Sequence, residues 1–393
     1  MKYIDQLSLN NKKVFIRADL DVPLKEDKTV ANDTRIRALL PTLNYAIDNG
    51  AKVIIGAHMG RPKGEKNPKY SLAPVAKHIQ SLISAEVIMA NDCIGDEVKA
   101  MVGNLQPKQV LVLENLRYYN EEEDNNTEFA KHLASLCDVY INDAFATSHR
   151  AHASTAGMAA FVAEKAGGFN LKKELEYFDR AMTTPKRPLA TIFGGAKVST
   201  KMQAIRNVGK TANIIVIGGA MANTFFAADG LNVGKSLYEP EEVENARNIA
   251  NELKASGCKL ILPVDVVVAE KFETGVPTKV VDASNIGENE LALDIGPKSV
   301  QLIADALKEA NTIVWNGPVG AFEIPEFSDA TYAVVDLLVN SSALTVVGGG
   351  DTDRALHDKH AMEKMGYVST AGGAFLELLE GKTLPAVQAL EVV

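Results

Sequence analysis

Short runs of β-branched and aliphatic residues recur along the chain, each followed by a polar or glycine-rich turn and then a longer stretch with helical spacing. In the first half they are Val14-Phe15-Ile16, Val53-Ile54-Ile55, residues 110–113 and Val139-Tyr140-Ile141. In the second half they are residues 190–193, 214–217, Leu260-Ile261-Leu262, Thr312-Ile313-Val314 and 344–347. Between them, residues 72–83, 128–136, 241–256 and 299–309 carry the apolar spacing of helices. This is the rhythm of parallel βαβ units, so the pattern predicts an α/β fold. Right-handed crossovers of this kind place ligands at the carboxyl ends of the strands.

At 393 residues the chain exceeds what one hydrophobic core supports, and two domains are expected. The break is predicted between Gly167-Gly168 and the Pro185 to Pro188 segment, with residues 170–182 as a helix joining the domains. The tail after Pro385 can pack on either one.

The strand ends differ between the halves. In the first they carry charge: Arg17-Ala18-Asp19-Leu20-Asp21, His58-Met59-Gly60-Arg61, Glu114-Asn115-Leu116-Arg117, and Asn142-Asp143 leading to His149-Arg150-Ala151-His152. In the second they carry glycine: Gly194-Gly195, Gly218-Gly219 and Gly348-Gly349-Gly350. Arg17, Arg35, Arg61, Arg117 and Arg150 offer guanidinium forks that suit a compact phosphate or carboxylate ligand. Any one of them alone is equally well a surface ion-pair partner, but recurrence at successive strand ends favours a site. Asp19 and Asp21 fit a general acid and base, or hydrogen bonding to substrate hydroxyls or arginines. His149 and His152 have the spacing of a metal pair, but no third ligand follows, which favours a substrate-contacting or packing role.

Strand-glycine-helix turns offer unpaired N–H groups and a positive helix end to phosphate. Lys197 and Lys201 are four apart and share a helix face if a helix starts at Gly194-Gly195. Gly230-Leu231-Asn232-Val233-Gly234-Lys235-Ser236 has three residues between its glycines where a phosphate loop requires four. Asp351 either holds a phosphate-bound magnesium ion or caps a helix, or does both. Glu323, after Trp315-Asn316-Gly317-Pro318, suits ribose hydroxyls.

Composition narrows the class. Apolar content of 46% with 23% charged residues is ordinary for a globular protein. The N-terminus MKYIDQLSLNNKK lacks a secretory pattern, no apolar run reaches the roughly 18 residues of a membrane span, and a cytoplasmic location is expected. The 3 cysteines, Cys93, Cys137 and Cys258, lack metal or CxxC spacing and fit a reducing compartment. A net charge of −9 disfavours nucleic acid and anionic membranes as partners, so an anionic substrate needs a local basic pocket.

Taken together these segments closely resemble the phosphoglycerate kinase family, from RADLDVP at Arg17 through AHMGRP at Ala57, LENLR at Leu113, DAFATSHRAHAST at Asp143 and GGAKVSTK at Gly194. The series continues through GLNVGKSL at Gly230, LDIGP at Leu293, WNGPVGAFE at Trp315, VGGGDT at Val347 and STAGGAFLE at Ser369. The resemblance implies two Rossmann-like domains, each a mostly parallel sheet flanked by helices, joined by a hinge helix. The expected parts are residues 1–169 for phosphoglycerate, 170–188 as helix and linker, 189–374 for nucleotide, and 375–393 returning to the first domain. The implied reaction is reversible transfer of phosphate between 1,3-bisphosphoglycerate and magnesium ADP, giving 3-phosphoglycerate and ATP, by a monomer.

By the same resemblance, Asp19, Asp21, Arg35, His58, Met59, Gly60, Arg61, Arg117 and Arg150 bind the phosphoglycerate. Lys197, Lys201, Gly296, Asn316, Glu323, Gly349, Gly350, Asp351 and Thr352 bind the nucleotide, with Asp351 on its Mg2+. Arg35, Lys201 and the helix start at Gly372 and Gly373 are the catalytic set. Two positions depart from the family's pattern, Asp21 for asparagine and Ala371 for glycine. Apart from the resemblance, the residues also admit a nicotinamide-dependent oxidoreductase or a non-catalytic two-lobed binding protein. The first lacks a GxGxxG after a strand, and the lysine-glycine-aspartate set argues against the second.

Overall fold

The structure, a computed structural model, describes residues 1–391, so positions 392 and 393 of the expected 375–393 segment lie outside the described residues. The chain divides into two compact units, Met1–Leu175 with the segment from Thr383 onward, and Glu176–Lys382.

The first unit is built on a parallel sheet of six strands, β1 (Lys13–Arg17), β2 (Lys52–Gly56), β3 (Val87–Met89), β4 (Val110–Val112), β5 (Val139–Asn142) and β6 (Glu164–Gly167), in the order β3-β4-β2-β1-β5-β6. Register sets Val14 beside Val53 and Val139, and Ile16 beside Ile55 and Ile141. Because side chains alternate along a strand, those residues share one face and form a core with Leu39, Leu43, Val75 and Ile79. Burying each such side chain contributes roughly 1.5–3 kcal/mol. Phe15 and Tyr140 fall on the opposite face, with ring centroids 6.3 Å apart. The helix Thr34–Asp48, for which the sequence pattern gives no reading, carries Pro41 inside it.

The second unit has a parallel sheet of β7 (Leu189–Phe193), β8 (Ile214–Ile217), β9 (Lys259–Ile261), β13 (Thr312–Asn316), β14 (Leu344–Val347) and β15 (Tyr367–Val368), in the order β15-β14-β13-β7-β8-β9. Between β9 and β13 the chain adds an antiparallel sheet, β10 (Asp265–Ala269), β11 (Lys279–Asp282) and β12 (Leu291–Ile295), ordered β11-β10-β12. The large sheet grows outward from β7 through β8 and β9, then resumes on its other side with β13. That reversal is the topological switch of a doubly wound sheet, and it opens a crevice at the ends of β7 and β13. Leu189 and Phe193 feed one core, while Ala190 and Ile192 feed the core behind the other face.

The helix Phe169–Phe178 runs across the boundary between units. Its start is capped by buried Asp143, whose Oδ1 accepts from the backbone N–H groups of Asn170 and Leu171 at 2.9 and 3.1 Å. The return to the first unit begins later than residue 375. The helix Gly372–Leu379 stays in the second unit, with Phe375 and Leu379 in its core, and Ala386 then donates to the Ser148 carbonyl of the first unit at 3.1 Å. Among the described residues no helix is long and apolar enough to cross a membrane.

Candidate active site

In the first unit the ends of β1, β2, β4 and β5 gather the charged residues. Arg35 donates from Nη1 to Asp19 Oδ1 at 3.1 Å and to the Asp21 carbonyl at 3.0 Å. The Asp21 carboxylate accepts from the Gly60 N–H at 2.8 Å and lies 3.9 Å from His58 Nε2. Arg117 donates to the Gly60 carbonyl at 3.1 Å, so a single glycine ties β1 to the turn after β4. These contacts favour the positioning reading of Asp19 and Asp21. Asp21 fixes a loop, and no arginine pairs with its carboxylate among the described contacts.

Burial and charge shape the site. Asp19 is buried, and desolvation raises its carboxyl pKa against the lowering effects of Arg35 and Arg17. Its Oδ2, Arg117 Nε and His152 Nδ1 are buried without a hydrogen-bond partner among the described residues, although Arg117 Nε lies 3.4 Å from Glu123 Oε1. Burial, then the charges of Arg17, Arg117 and Arg35, hold His58 well below its ordinary pKa. Burial, then Arg117, Arg17 and Arg150, brings His152 down to about 3. Both imidazoles are therefore neutral near pH 7 and add hydrogen-bonding capacity without charge.

Two sequence expectations change here. Arg17 is fully buried, with Nε on Ser154 Oγ at 2.7 Å and Nη2 3.0 Å from His58 Nδ1, so it braces the site from behind. Ser154 is held in turn by Glu122, which is 0% exposed and has no motif to reveal it in sequence. Met59 points into the core and is 4% exposed; only its carbonyl works at the site's edge, accepting from Asn115 at 2.7 Å. Arg61 is exposed beside this loop, and Arg150 donates to His149 Nε2 at 3.2 Å. Among the described residues no group of three or more His, Cys, Asp or Glu forms a metal site.

In the second unit the glycine doublets do not offer free N–H groups. Gly194 donates to the Asn316 carbonyl at 3.1 Å, Gly195 to Pro318 at 2.9 Å, Gly218 to Phe193 at 2.8 Å, Gly219 to Val319 at 2.8 Å and Gly348 to Trp315 at 3.0 Å. Their smallness is what counts. A Cβ on Gly194 would lie 2.0 Å from the Pro318 carbonyl oxygen, so the two turns at the switch point interlock only without side chains.

Lys201 lies in that interlock. Its Nζ donates to the Gly194 carbonyl at 2.6 Å and to the Asn316 carbonyl at 2.9 Å, directly at the ends of β7 and β13. An ammonium carries three donors, so one remains for an anion. Burial brings its pKa down to about 8, opposed by Asp351. Residues 194–201 are not helical. The helix is Met202–Gly209 with Lys201 as its N-cap residue, so Lys197 is exposed on the loop and shares no helix face with Lys201. Gly317 makes room for the ammonium: its φ is +98°, and a Cβ there would lie 2.4 Å from Nζ. It is a close-approach position that the motif WNGPVG contains but does not single out.

Beside Lys201 opens a cavity of about 540 Å³, lined on one side by Leu237, Phe272, Leu291, Leu293, Pro318 and Phe322. Glu323 and Asp351 bring carboxylates to its wall. The helix Gly350–Asp358 has Gly349 as its N-cap residue, so Asp351 sits in the first turn and the capping alternative falls away. Thr352 is buried, with its hydroxyl 2.9 Å from the Gly348 carbonyl and 3.4 Å from the Gly317 N–H. Asn316 spends its amide on the Gly348 carbonyl at 2.8 Å and so locks β13 to β14.

Gly296 is not in the cavity wall. A Cβ there would meet the Asp265 carboxylate at 2.3–2.7 Å, and that carboxylate caps the helix Pro297–Leu307 through Lys298 N and Ser299 N. The Gly372 helix start comes close, since a Cβ on Gly372 would lie 3.2 Å from Gly349 Cα. Ala371 is its N-cap residue at φ −139°, which any residue adopts, so glycine is not required there. The 230–236 loop is structural: Asn232 donates to the Ile286 carbonyl at 2.8 Å, and Ser236 Oγ accepts from Ala292 N at 2.8 Å.

The family model described as phosphoglycerate kinase matches residues 4–382. The phosphoglycerate kinase of Geobacter metallireducens is 52% identical over 392 residues, covering 100% of this chain and 98% of the relative. That of Geotalea uraniireducens is likewise 52% identical, with the same coverage. The solved structure of phosphoglycerate kinase from Coxiella burnetii superposes with a TM-score of 0.91 at 41% identity, over 99% of this chain and 98% of that one.

Proposed function

The chain belongs to the phosphoglycerate kinase family and catalyses that family's glycolytic phosphotransfer between 1,3-bisphosphoglycerate and ADP, and from this premise we propose where each ligand sits and what each residue does. Phosphoglycerate binds in the first unit to Arg35, Arg61, Arg117 and Arg150, with neutral His58 as a hydrogen-bond partner. Asp19, Asp21, Met59 and Gly60 hold those groups in place. ADP or ATP binds in the second unit with its base in the apolar half of the cavity, its ribose hydroxyls on Glu323 and its phosphates toward Lys201, Gly349, Gly350, Asp351 and Thr352. Asn316 shapes that end through the Gly348 carbonyl. Gly296 and Lys197 act at most through the backbone and through charge.

The observation that carries this reading is the Lys201 ammonium held at the switch point, 2.6 and 2.9 Å from two carbonyls, with Asp351 in the adjoining cavity wall. A lone exposed carboxylate suits a magnesium ion borne mainly by nucleotide phosphates and water, and Asp351 is the residue that would hold it. When bound, that ion supplies positive charge to the phosphate oxygens.

In the transfer, the acyl-phosphate P–O bond breaks to leave a carboxylate, and an ADP oxygen forms the new P–O bond. The attacking ADP oxygen is already ionised and the departing oxygen leaves as a carboxylate of low pKa, so no general base is needed and no proton moves. Arg35, Lys201 and the N–H groups at the Gly372-Gly373 helix start stabilise charge on the group in flight. Ligands on separate units require domain closure, which also excludes water from the acyl phosphate. We propose a cytoplasmic monomer with these small molecules as its partners, and neither nucleic acid nor membrane. A coupled assay of ATP formed from 1,3-bisphosphoglycerate and ADP tests the activity, and its dependence on added magnesium tests the metal.

A further inference from the structure

Among the described residues Arg354 is the one cation in the wall of the 540 Å³ cavity, and the proposed ligand assignments leave it unused. It lies one helical turn beyond Asp351 on the helix Gly350–Asp358, so both side chains leave the same face of that helix. Its guanidinium carbon sits over the Phe322 ring, 5.4 Å from the centroid, a cation–π contact. Asp358 lies behind it, with Oδ2 3.9 Å from Arg354 Nε, too long for a hydrogen bond. That carboxylate is itself fixed by the Tyr332 hydroxyl at 3.2 Å, and the Tyr332 ring packs edge-on against Phe322 with centroids 6.3 Å apart. The side chain is 60% exposed, and its contacts are the Phe322 ring and a long ion pair to Asp358.

The charge balance gives this placement its meaning. The wall contains two carboxylates, Glu323 and Asp351, and the ligand proposed for it is a polyanion. Without Arg354 the lining would present only negative charge to the phosphates, with Lys201 as the nearby counterweight. We propose that Arg354 is a nucleotide-binding residue that engages the phosphate chain of ADP or ATP, so that nucleotide affinity in this chain depends on a second cation besides Lys201. The inference rests on the reading of the cavity as the nucleotide site.

The test compares charged and uncharged ligands by calorimetry on the intact chain. Arg354→Ala weakens ADP binding by about tenfold, the size of one charge contact at partial exposure. Arg354→Lys weakens it less, Arg354→Glu weakens it more, and adenosine binds all four proteins alike. The Arg354→Ala penalty shrinks as salt is raised. Equal loss of ADP and adenosine would mean that Arg354 only props the Phe322 ring, and unchanged ADP affinity would mean that it faces solvent; either overturns the proposal. Ala321→Trp, which fills the cavity, separates this from failure of the site itself. If a folded Ala321→Trp protein, checked by its melting temperature, still binds ADP normally, the cavity is not the nucleotide site. If it has lost ADP while Arg354→Ala has not, only the role of Arg354 is wrong.

Discussion

The proposed role of Lys201 makes it the residue with the sharpest test in the second unit. Its two carbonyl contacts position it, and burial brings its pKa down to about 8. Lys201→Ala is expected to cut kcat by about 100- to 1000-fold, the usual cost of one transition-state donor, while the affinity for 3-phosphoglycerate is kept. The pKa gives the pH dependence its sign. The ammonium is charged below its pKa, so kcat/KM for the nucleotide is full below about pH 8 and falls above it as the proton is lost. A profile that stays flat to pH 9.5 would rule Lys201 out as the titrating cation. Asp21 is the second residue with a clear expectation. Its contact is acceptor-only, Gly60 N–H to Oδ1 at 2.8 Å, and an asparagine oxygen accepts the same bond. Asp21→Asn therefore keeps the loop and removes a negative charge from an anion site, so the Kd for 3-phosphoglycerate should be unchanged or lower. A marked rise in Kd would show that the carboxylate is needed for its charge.

At the scale of elements, the site depends on two turns that fit together only because they lack side chains. The turn after β7 and the turn after β13 exchange backbone hydrogen bonds through Gly194, Gly195, Asn316 and Pro318, and Lys201 threads between them. Gly317 combines a φ of +98° with a closest side-chain approach at Lys201 Nζ, 2.4 Å from where a Cβ would stand. Gly317→Ala thus forces a left-handed alanine, at roughly 1–2 kcal/mol, a clash of its Cβ with the Gly194 carbonyl oxygen 2.3 Å away, and displacement of the ammonium. Expected are a lowered melting temperature and a kcat reduced by about tenfold or more, with KM for 3-phosphoglycerate unchanged. Normal kcat in a destabilised protein would show that Lys201 tolerates the shift. The sequence shows WNGPVG plainly as a turn; that its glycine serves a lysine over a hundred positions away is visible only once β7 and β13 are neighbours.

For the whole molecule, segregation of function follows from two separate cores. The arginine-bearing ends of β1, β2, β4 and β5 belong to the first unit, and the cavity beside β7 and β13 belongs to the second. Reaction needs the attacking oxygen and the phosphorus within about 3–3.5 Å, so ligands bound to different units must be brought together. Small-angle scattering of the intact chain is expected to show a smaller radius of gyration with both substrates than with either alone. An unchanged radius in every ligand state, with normal turnover, would mean that closure is not part of the cycle. The return of the chain to the first unit from Thr383 onward gives that unit a part from each end of the sequence, so truncating the tail should destabilise the first unit.

What the sequence determined by itself is the periodic and compositional part of this protein. Unbroken β-branched runs such as Ile214–Ile217 can be little other than buried parallel strands, and they appear as β8 and its neighbours. Arginines following such runs pointed to an anion site, because strand ends are where open sheets bind ligands. The edge strand β6, of sequence EKAG, carried no such signal, being held by pairing with β5. The tertiary structure decided which polar groups are spent and which are free. The glycine N–H groups at 194, 195, 218 and 219 read as a phosphate cradle but are consumed by partners on other strands. Arg17 and Met59 stand in binding motifs but turn inward, and Gly296 makes way for the Asp265 carboxylate. The physical reason is common to all of these: apolar period is written in neighbouring residues, whereas a hydrogen bond is satisfied by whichever group the fold brings within about 3 Å, however far along the chain it lies.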